Sequence, residues 1–126
     1  MKSFHHVGYI VKSIEEYKKS LFEMTVIKAV DDPIQLAKIE LLSVGNGGFI
    51  ELIQPLSPLA FTWNFLQKNG EGLHHICYKG YSADEIDNII RKGKMLKLRG
   101  PIRAVLFERD VIFAMTRSRT IIEFIL

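Results

Sequence analysis

Cysteine is almost missing from this sequence: the one copy, Cys77, excludes an intramolecular disulfide and fits a reducing compartment. Long apolar runs are missing too. No stretch reaches the length needed to span a membrane, which excludes a membrane-spanning helix. The opening Met1-Lys2-Ser3-Phe4-His5-His6 passes straight into a strand-like pattern without the apolar segment of a signal peptide, so a cytoplasmic protein without a membrane partner is expected. Charge of one sign is not in excess either. Seventeen Lys and Arg against fourteen Asp and Glu leave +3, too little to imply a nucleic-acid partner. At 48% hydrophobic and 25% charged residues the composition excludes a disordered chain. A length of 126 residues suits one compact domain, or two half-sized modules around a shared core.

The basic residues that are present bunch between Arg91 and Arg103, with Lys92, Lys94, Lys97 and Arg99 between them. Such a cluster reads either as a solvated helix end and loop or as a landing patch for an anionic substrate tail, such as the phosphates of a coenzyme A ester.

The chain repeats itself. Phe4-His5-His6-Val7-Gly8-Tyr9-Ile10 returns as Leu73-His74-His75-Ile76-Cys77-Tyr78-Lys79, offset by 69 residues. Ser13-Ile14-Glu15-Glu16 and Ser82-Ala83-Asp84-Glu85 keep that offset. Both read as capping boxes, in which a serine caps the helix and a glutamate three residues on reaches back to the free backbone N–H. Helices are therefore expected over about Ile14 to Glu23 and Ala83 to Lys92, with Tyr17 and Leu21, and Ile86, Ile89 and Ile90, on their apolar faces. Further on, Ile39 to Val44 matches Val111 to Thr116, and Phe49-Ile50-Glu51-Leu52-Ile53 matches Ile121-Ile122-Glu123-Phe124-Ile125, now offset by 72. The turn Gly45-Asn46-Gly47-Gly48 joins the first pair and Arg117-Ser118-Arg119-Thr120 the second. Weaker strands are expected at Thr25 to Val30 and Met95 to Leu98, a linking helix at Leu59 to Lys68, and a loop at Gly100-Pro101. The expected fold is α+β: two βαβββ modules, about 1–56 and 71–126, joined by a linker helix within about 57–70.

The two glutamates carry the functional signal. Glu51 and Glu123 each sit in a run that is apolar on both strand faces, so each is expected to be buried. A buried carboxylate needs a neutralising partner, and Lys79, near the end of its strand, is the only cation in the matching strands. His6 and His75 are related by the same repeat. If the histidine strand neighbours the glutamate strand in each half, two nitrogens and two oxygens converge, a donor set suited to one divalent Zn, Ni, Co, Mn or Fe rather than to Ca or Mg. Strand alternation sets His6 with Gly8 on one face and His5, Val7 and Tyr9 on the other, and the repeat leaves open which face is inside. The alternative makes all four histidines packing or surface groups. Cys77 shares the face of His75 as a pocket-lining group or a small buried hydrophobe, opposite the space left by Gly8. Tyr9 and Tyr78 are expected under the helices. A two- or four-residue turn at Gly45 to Gly47 would bring Glu40 to the face of Glu51 as a candidate catalytic base; a three-residue turn would send it to solvent.

These residues resemble the vicinal oxygen chelate superfamily, which includes glyoxalase I, methylmalonyl-coenzyme A epimerase, extradiol dioxygenases and fosfomycin-resistance proteins. The likeness to the epimerase branch rests on His6-Val7-Gly8-Tyr9-Ile10-Val11, on Val44-Gly45-Asn46 leading to Ile50-Glu51-Leu52-Ile53-Gln54-Pro55-Leu56, on Ser57-Pro58 followed by Phe65-Leu66-Gln67-Lys68, and above all on Gly70-Glu71-Gly72-Leu73-His74-His75-Ile76. The resemblance implies paired βαβββ modules in a partial barrel around a metal cleft, with His6, Glu51, His75 and Glu123 as ligands. It also implies a homodimer, a small-molecule substrate such as a coenzyme A or other thioester, and Glu123 as a ligand that doubles as catalytic base. The segment Gly100 to Asp110 departs from the family pattern in the region that shapes the substrate pocket. The expected activity is epimerisation beside a thioester carbonyl; the alternatives are a glyoxalase-like lyase, or a binding or resistance protein without catalysis.

Overall fold

The computed structural model describes residues 1–126 apart from Glu23, Val44 and Asn46. The parts of the expected first helix, of its following strand pair and of the first hairpin turn that fall on those three lie outside the described residues. Two rounds of strand, helix and three strands follow each other: β1 (Ser3–Ile10), α1 (Ile14–Lys18), β2 (Thr25–Asp32), β3 (Ala37–Ser43) and β4 (Phe49–Pro55), then β5 (Gly72–Lys79), α3 (Ala83–Lys92), β6 (Leu96–Ala104), β7 (Arg109–Met115) and β8 (Ile121–Ile125), with α2 (Trp63–Asn69) between. The eight strands form one mixed sheet in the order β2-β3-β4-β1-β5-β8-β7-β6. In each half the first strand runs parallel to the last, and β1 and β5 meet antiparallel at the centre. The fold is α+β, as the repeat requires.

Local chemistry accounts for the element ends. Ser82 caps α3 through a full capping box, its hydroxyl accepting from Glu85 N–H while the Glu85 carboxylate accepts from Ser82 N–H. The helix spans the expected residues. At α1 only half of the box forms: Ser13 accepts from Glu16 N–H, but the Glu16 carboxylate pairs with Lys19 instead. The Ser20 hydroxyl then donates to Tyr17 O, and α1 ends at Lys18 rather than near Glu23. The linking helix likewise starts later than expected, at Trp63, after turns that begin at Ser57.

A second correction concerns Gly100-Pro101, expected in a loop and found inside β6. The β6–β7 ladder breaks between Arg99 and Ile102 and resumes at once. β6 is an end strand of the sheet, where a proline without N–H is tolerated. Gly100 holds φ +106°, and a Cβ there would collide with the Val111 carbonyl oxygen.

The two sheet faces are packed differently. Outside, Val11, Leu42 and Leu52 bury against Ile14 of α1, and Ile112 and Phe124 against Ile86 of α3; Tyr9 and Tyr78 pack here, under the helices. Inside, Ile10, Ile39, Leu41 and Ile53 of the first half and Val111, Phe113 and Ile125 of the second form the core. The β2–β3 and β6–β7 turns, at opposite ends of the strand order, nevertheless touch: Val105 N–H donates to Asp32 Oδ2 at 3.3 Å. The sheet is therefore curled round its inner face.

Candidate metal centre

Two rows of three residues build the site on that inner face. Across β4, β1 and β5 stand Glu51, Gly8 and His75; across β1, β5 and β8 stand His6, Cys77 and Glu123. Each row carries a carboxylate at one end, an imidazole at the other and a small residue between. Residues directly opposite on neighbouring strands share a face, so the small middle residue lets both long side chains lean toward a common point. At Gly8 this is strict, because a Cβ would overlap the His75 ring.

The four chemical groups do converge. His6 Nε2 lies 3.4 Å from Glu51 Oε1 and 3.1 Å from Glu123 Oε1; His75 Nε2 lies 3.4 Å and 3.2 Å from the same oxygens, and 3.1 Å from His6 Nε2. These are five of the six edges of a four-atom cluster whose atoms all lie within 4.8 Å of one another, and a regular tetrahedron with edges of this length has its centre roughly 2 Å from each corner, the usual Zn–N and Zn–O bond length. None of the four residues is more than 4% exposed. Glu123 Oε1 is buried with no hydrogen-bond partner among the described residues, although two imidazole nitrogens stand within 3.2 Å of it. A buried carboxylate oxygen set between two imidazole nitrogens is a donor arrangement that suits a divalent cation.

Burial disfavours charge on all four groups, yet the histidines and glutamates hold one another ionised. Burial opposes protonation of His6, and Glu51, Cys77 and Glu123 together outweigh it and raise the pKa well above the usual value; His75 is raised against burial by Glu123 and Glu51 together. Burial pushes the Glu51 and Glu123 carboxyls up, while His6 and His75 together overcome it and bring both below the ordinary range. Without a cation, protons on the imidazoles serve as the counter-charge.

Strand alternation predicts His5 on the opposite face from His6, and here the structure differs. The β1–β5 register slips between Phe4 and His6, and again between Gly8 and Tyr9 where the partner skips from His75 to Leu73. His5 and His74 are thus the extra residues of two symmetry-related β-bulges, which turn them toward the site. His5 Nδ1 lies 2.8 Å from His6 Nδ1, and His74 Nδ1 lies 2.8 Å from His75 Nδ1. Burial, with the neighbouring ligand histidine, lowers His5 to about 4 and His74 to about 3. The signal for these two in the sequence is the doubling of the whole His-His pair in both repeats. Phe107 is a further residue that sequence reasoning did not single out. Its ring stacks on His6 with centroids 5.4 Å apart and meets His5 edge-on at 5.2 Å.

Glu40 is not brought to the site. It stands opposite Leu52, whereas Leu41 stands opposite Glu51, so Glu40 occupies the outer face. Five residues separate the paired Ser43 and Phe49, and an odd connection reverses the alternation that an even turn would have kept. Its carboxylate accepts from Lys18 Nζ at 2.9 Å. Cys77 is fully buried beside His6, and burial pushes its thiol up, which keeps it protonated. Of the basic cluster, Arg91, Lys92, Lys94, Lys97 and Arg103 are exposed. Arg99 lies 5.3 Å from the Phe61 ring centroid, and Phe61 in turn meets His74 edge-on at 5.7 Å. A cavity of about 240 Å³ reaches His74 and His75, bounded by Phe65, Ile76, Arg119 and Ile121.

The comparisons with known proteins agree with this architecture. No curated protein matches the sequence. Hypothetical protein BH1468 from Bacillus halodurans C-125 has a TM-score of 0.84 at 28% identity, over 98% of this chain and 93% of that one. Methylmalonyl-CoA epimerase from Mycobacterium tuberculosis has a TM-score of 0.82 at 20% identity, over 97% and 85%. A methylmalonyl-CoA epimerase solved with methylmalonyl-CoA and NH4+ has 0.81 at 20%, over 99% and 94%. At that identity the epimerases share the fold. The family model of the glyoxalase/bleomycin resistance protein/dioxygenase superfamily matches residues 5–100, three quarters of the sequence. The chain belongs to that superfamily.

Proposed function

We propose that the protein is a divalent-metal-dependent isomerase that moves a proton beside the carbonyl of a small acyl thioester. The observation that carries this reading is the meeting of two imidazole nitrogens and two buried carboxylate oxygens, with imidazole–carboxylate and imidazole–imidazole distances of 3.1–3.4 Å. His6, Glu51, His75 and Glu123 would hold the ion. When bound, it supplies Lewis-acid charge where negative charge develops on a substrate carbonyl. Glu123 is the proposed base: its buried carboxylate would take the proton from the carbon next to the carbonyl, and the planar enolate left behind would be reprotonated on its opposite face by a proton from solvent, which inverts the carbon. The cavity beside His75 matches a small acyl group, and Arg99 and its exposed neighbours suit the anionic remainder of a coenzyme A ester left outside. Two methylmalonyl-CoA epimerase structures of this fold hold acyl-coenzyme A compounds, methylmalonyl-CoA in one and 2-nitronate-propionyl-CoA in the other.

The test is deuterium exchange. Metal-loaded protein in deuterated water should exchange the hydrogen at carbon 2 of a 2-methylmalonyl thioester, and Glu123→Gln should abolish the exchange. Exchange absent across several thioesters, with turnover of a glutathione hemithioacetal instead, would make the protein a glyoxalase-like lyase.

A second reading has its own support. All four donors are buried and Phe107 stacks on His6, a closure suited to a protein that holds a small ligand without turning it over. Tight metal uptake with no turnover of either substrate class would favour it.

A further inference from the structure

We propose that His5 and His74 are positioning residues, each fixing the tautomer and the orientation of the neighbouring ligand imidazole. The inference rests on the metal-centre reading and adds to it two residues outside the set of His6, Glu51, His75 and Glu123. His6 and His75 both turn Nε2 inward, within 3.4 Å of the two carboxylates. Both turn Nδ1 outward, each to the Nδ1 of the preceding histidine at 2.8 Å. A shared Nδ1–Nδ1 hydrogen bond carries one proton. For Nε2 to offer a lone pair to a cation, that proton must sit on the ligand ring, so His6 and His75 donate while His5 and His74 accept and carry their own proton on Nε2.

The geometry is built twice. In both strands the outer histidine is the bulge residue, which is what allows two consecutive side chains to reach the same side of the sheet. Aromatic rings fix each outer ring: Phe49 and Phe107 lie 5.1 and 5.2 Å from His5, and Phe65 and Phe61 lie 5.1 and 5.7 Å from His74. A metal-bound histidine ordinarily donates its second N–H to a carboxylate or a carbonyl. Here an imidazole takes that role, and accepting the bond both orients the ligand ring and raises the basicity of its Nε2.

The test uses full-length protein loaded with Co2+ or Zn2+. Replacing the outer rings by a ring that cannot accept, in His5→Phe/His74→Phe, should weaken metal binding by roughly 10- to 100-fold per site, the range seen when outer-shell partners of metal ligands are lost. His74→Asn, whose amide oxygen accepts the same bond, should recover most of the loss at that site. In the loaded wild type, 15N NMR should find His6 and His75 protonated at Nδ1 and His5 and His74 at Nε2, a readout independent of how the variants fold. Wild-type affinity in the double Phe variant, or ligation through Nδ1, overturns the positioning role while leaving the metal centre intact. A wild-type protein that takes up no metal overturns both.

Discussion

Gly8 stands directly across the β1–β5 ladder from His75, and a single methyl group at Gly8 would occupy the place of the His75 imidazole. Gly8→Ala should therefore act on the metal site rather than on the backbone. The overpacking should cost about 1–3 kcal/mol, and displacing one ligand ring should weaken Co2+ or Zn2+ binding more than about tenfold, as loss of ligand orientation does. Cys77 holds the equivalent place in the second row, beside His6. Cys77→Ala only removes a buried sulfur from a protonated thiol, so it should cost about 1–2 kcal/mol and leave metal affinity unchanged. Chelator competition alongside thermal unfolding of both variants distinguishes a spacer from a ligand.

Much of this arrangement is written locally. The complete capping box at Ser82 and the apolar spacing of Ile86, Ile89 and Ile90 define α3 to the residue, and the doubled His and Glu positions put four donor groups at one point. What escapes a local reading depends on how strands pair. The bulges at His5 and His74 are mismatches between two strands, visible only when both are laid side by side. The parity that decides the face of Glu40 turns on one residue of loop length between Ser43 and Phe49. The incomplete box at α1 depends on a competition, because Glu16 has Lys19 within reach as well as the backbone of Ser13.

The place of Glu40 gives a sharp contrast between two carboxylates. Glu40→Gln breaks an outer-face ion pair with Lys18, whose side chain is 30% exposed. The loss in stability should stay under about 1 kcal/mol, as for partly solvated pairs. Metal affinity and deuterium exchange into a thioester should not change. Glu123→Gln should lose both, because it neutralises a ligand oxygen. Equal loss in the two variants would place Glu40 in the mechanism after all.

Metal uptake must displace the protons that neutralise the cluster in its absence. The raised pKa values of His6 and His75 mean that the metal-free fold gains stability from protonated imidazoles. That gain is fully present below about pH 6.5, the free-imidazole value, and is lost as pH rises through the folded values. The lowered carboxyls of Glu51 and Glu123 contribute stability above about pH 4.5, lost as pH falls through their folded values. The metal-free protein should thus gain most from this cluster between about pH 4.5 and 6.5. The metal-bound protein needs both imidazoles neutral, so binding should release up to about two protons and tighten with pH. The rise in unfolding temperature caused by Zn2+ or Co2+ should grow from pH 5.5 to pH 8, and calorimetry in buffers of different ionisation enthalpy should count the protons released. A thermal shift independent of pH would contradict the ionisation of the cluster.

Among the described residues two polar contacts join the ends of the sheet, the Val105–Asp32 hydrogen bond and a Lys28–Glu108 ion pair at 3.7 Å. Asp32, 2% exposed, accepts from Ile34 N–H, Gln35 N–H and Gln35 Nε2 and, across the gap, from Val105 N–H. Val105 opens the turn that carries buried Leu106 and the Phe107 ring stacked on His6. Asp32→Ala leaves several donors without their acceptor and should cost about 2–4 kcal/mol. It should also loosen the β6–β7 turn, seen as faster amide exchange at Val105. Phe107→Ala removes the cover without touching that contact. Metal should then pass to a chelator faster in both variants, but amide exchange at Val105 should rise only in Asp32→Ala. If Phe107→Ala releases metal at the wild-type rate, the ring packs the core without guarding the centre, and the route for ligands runs instead through the cavity beside His75.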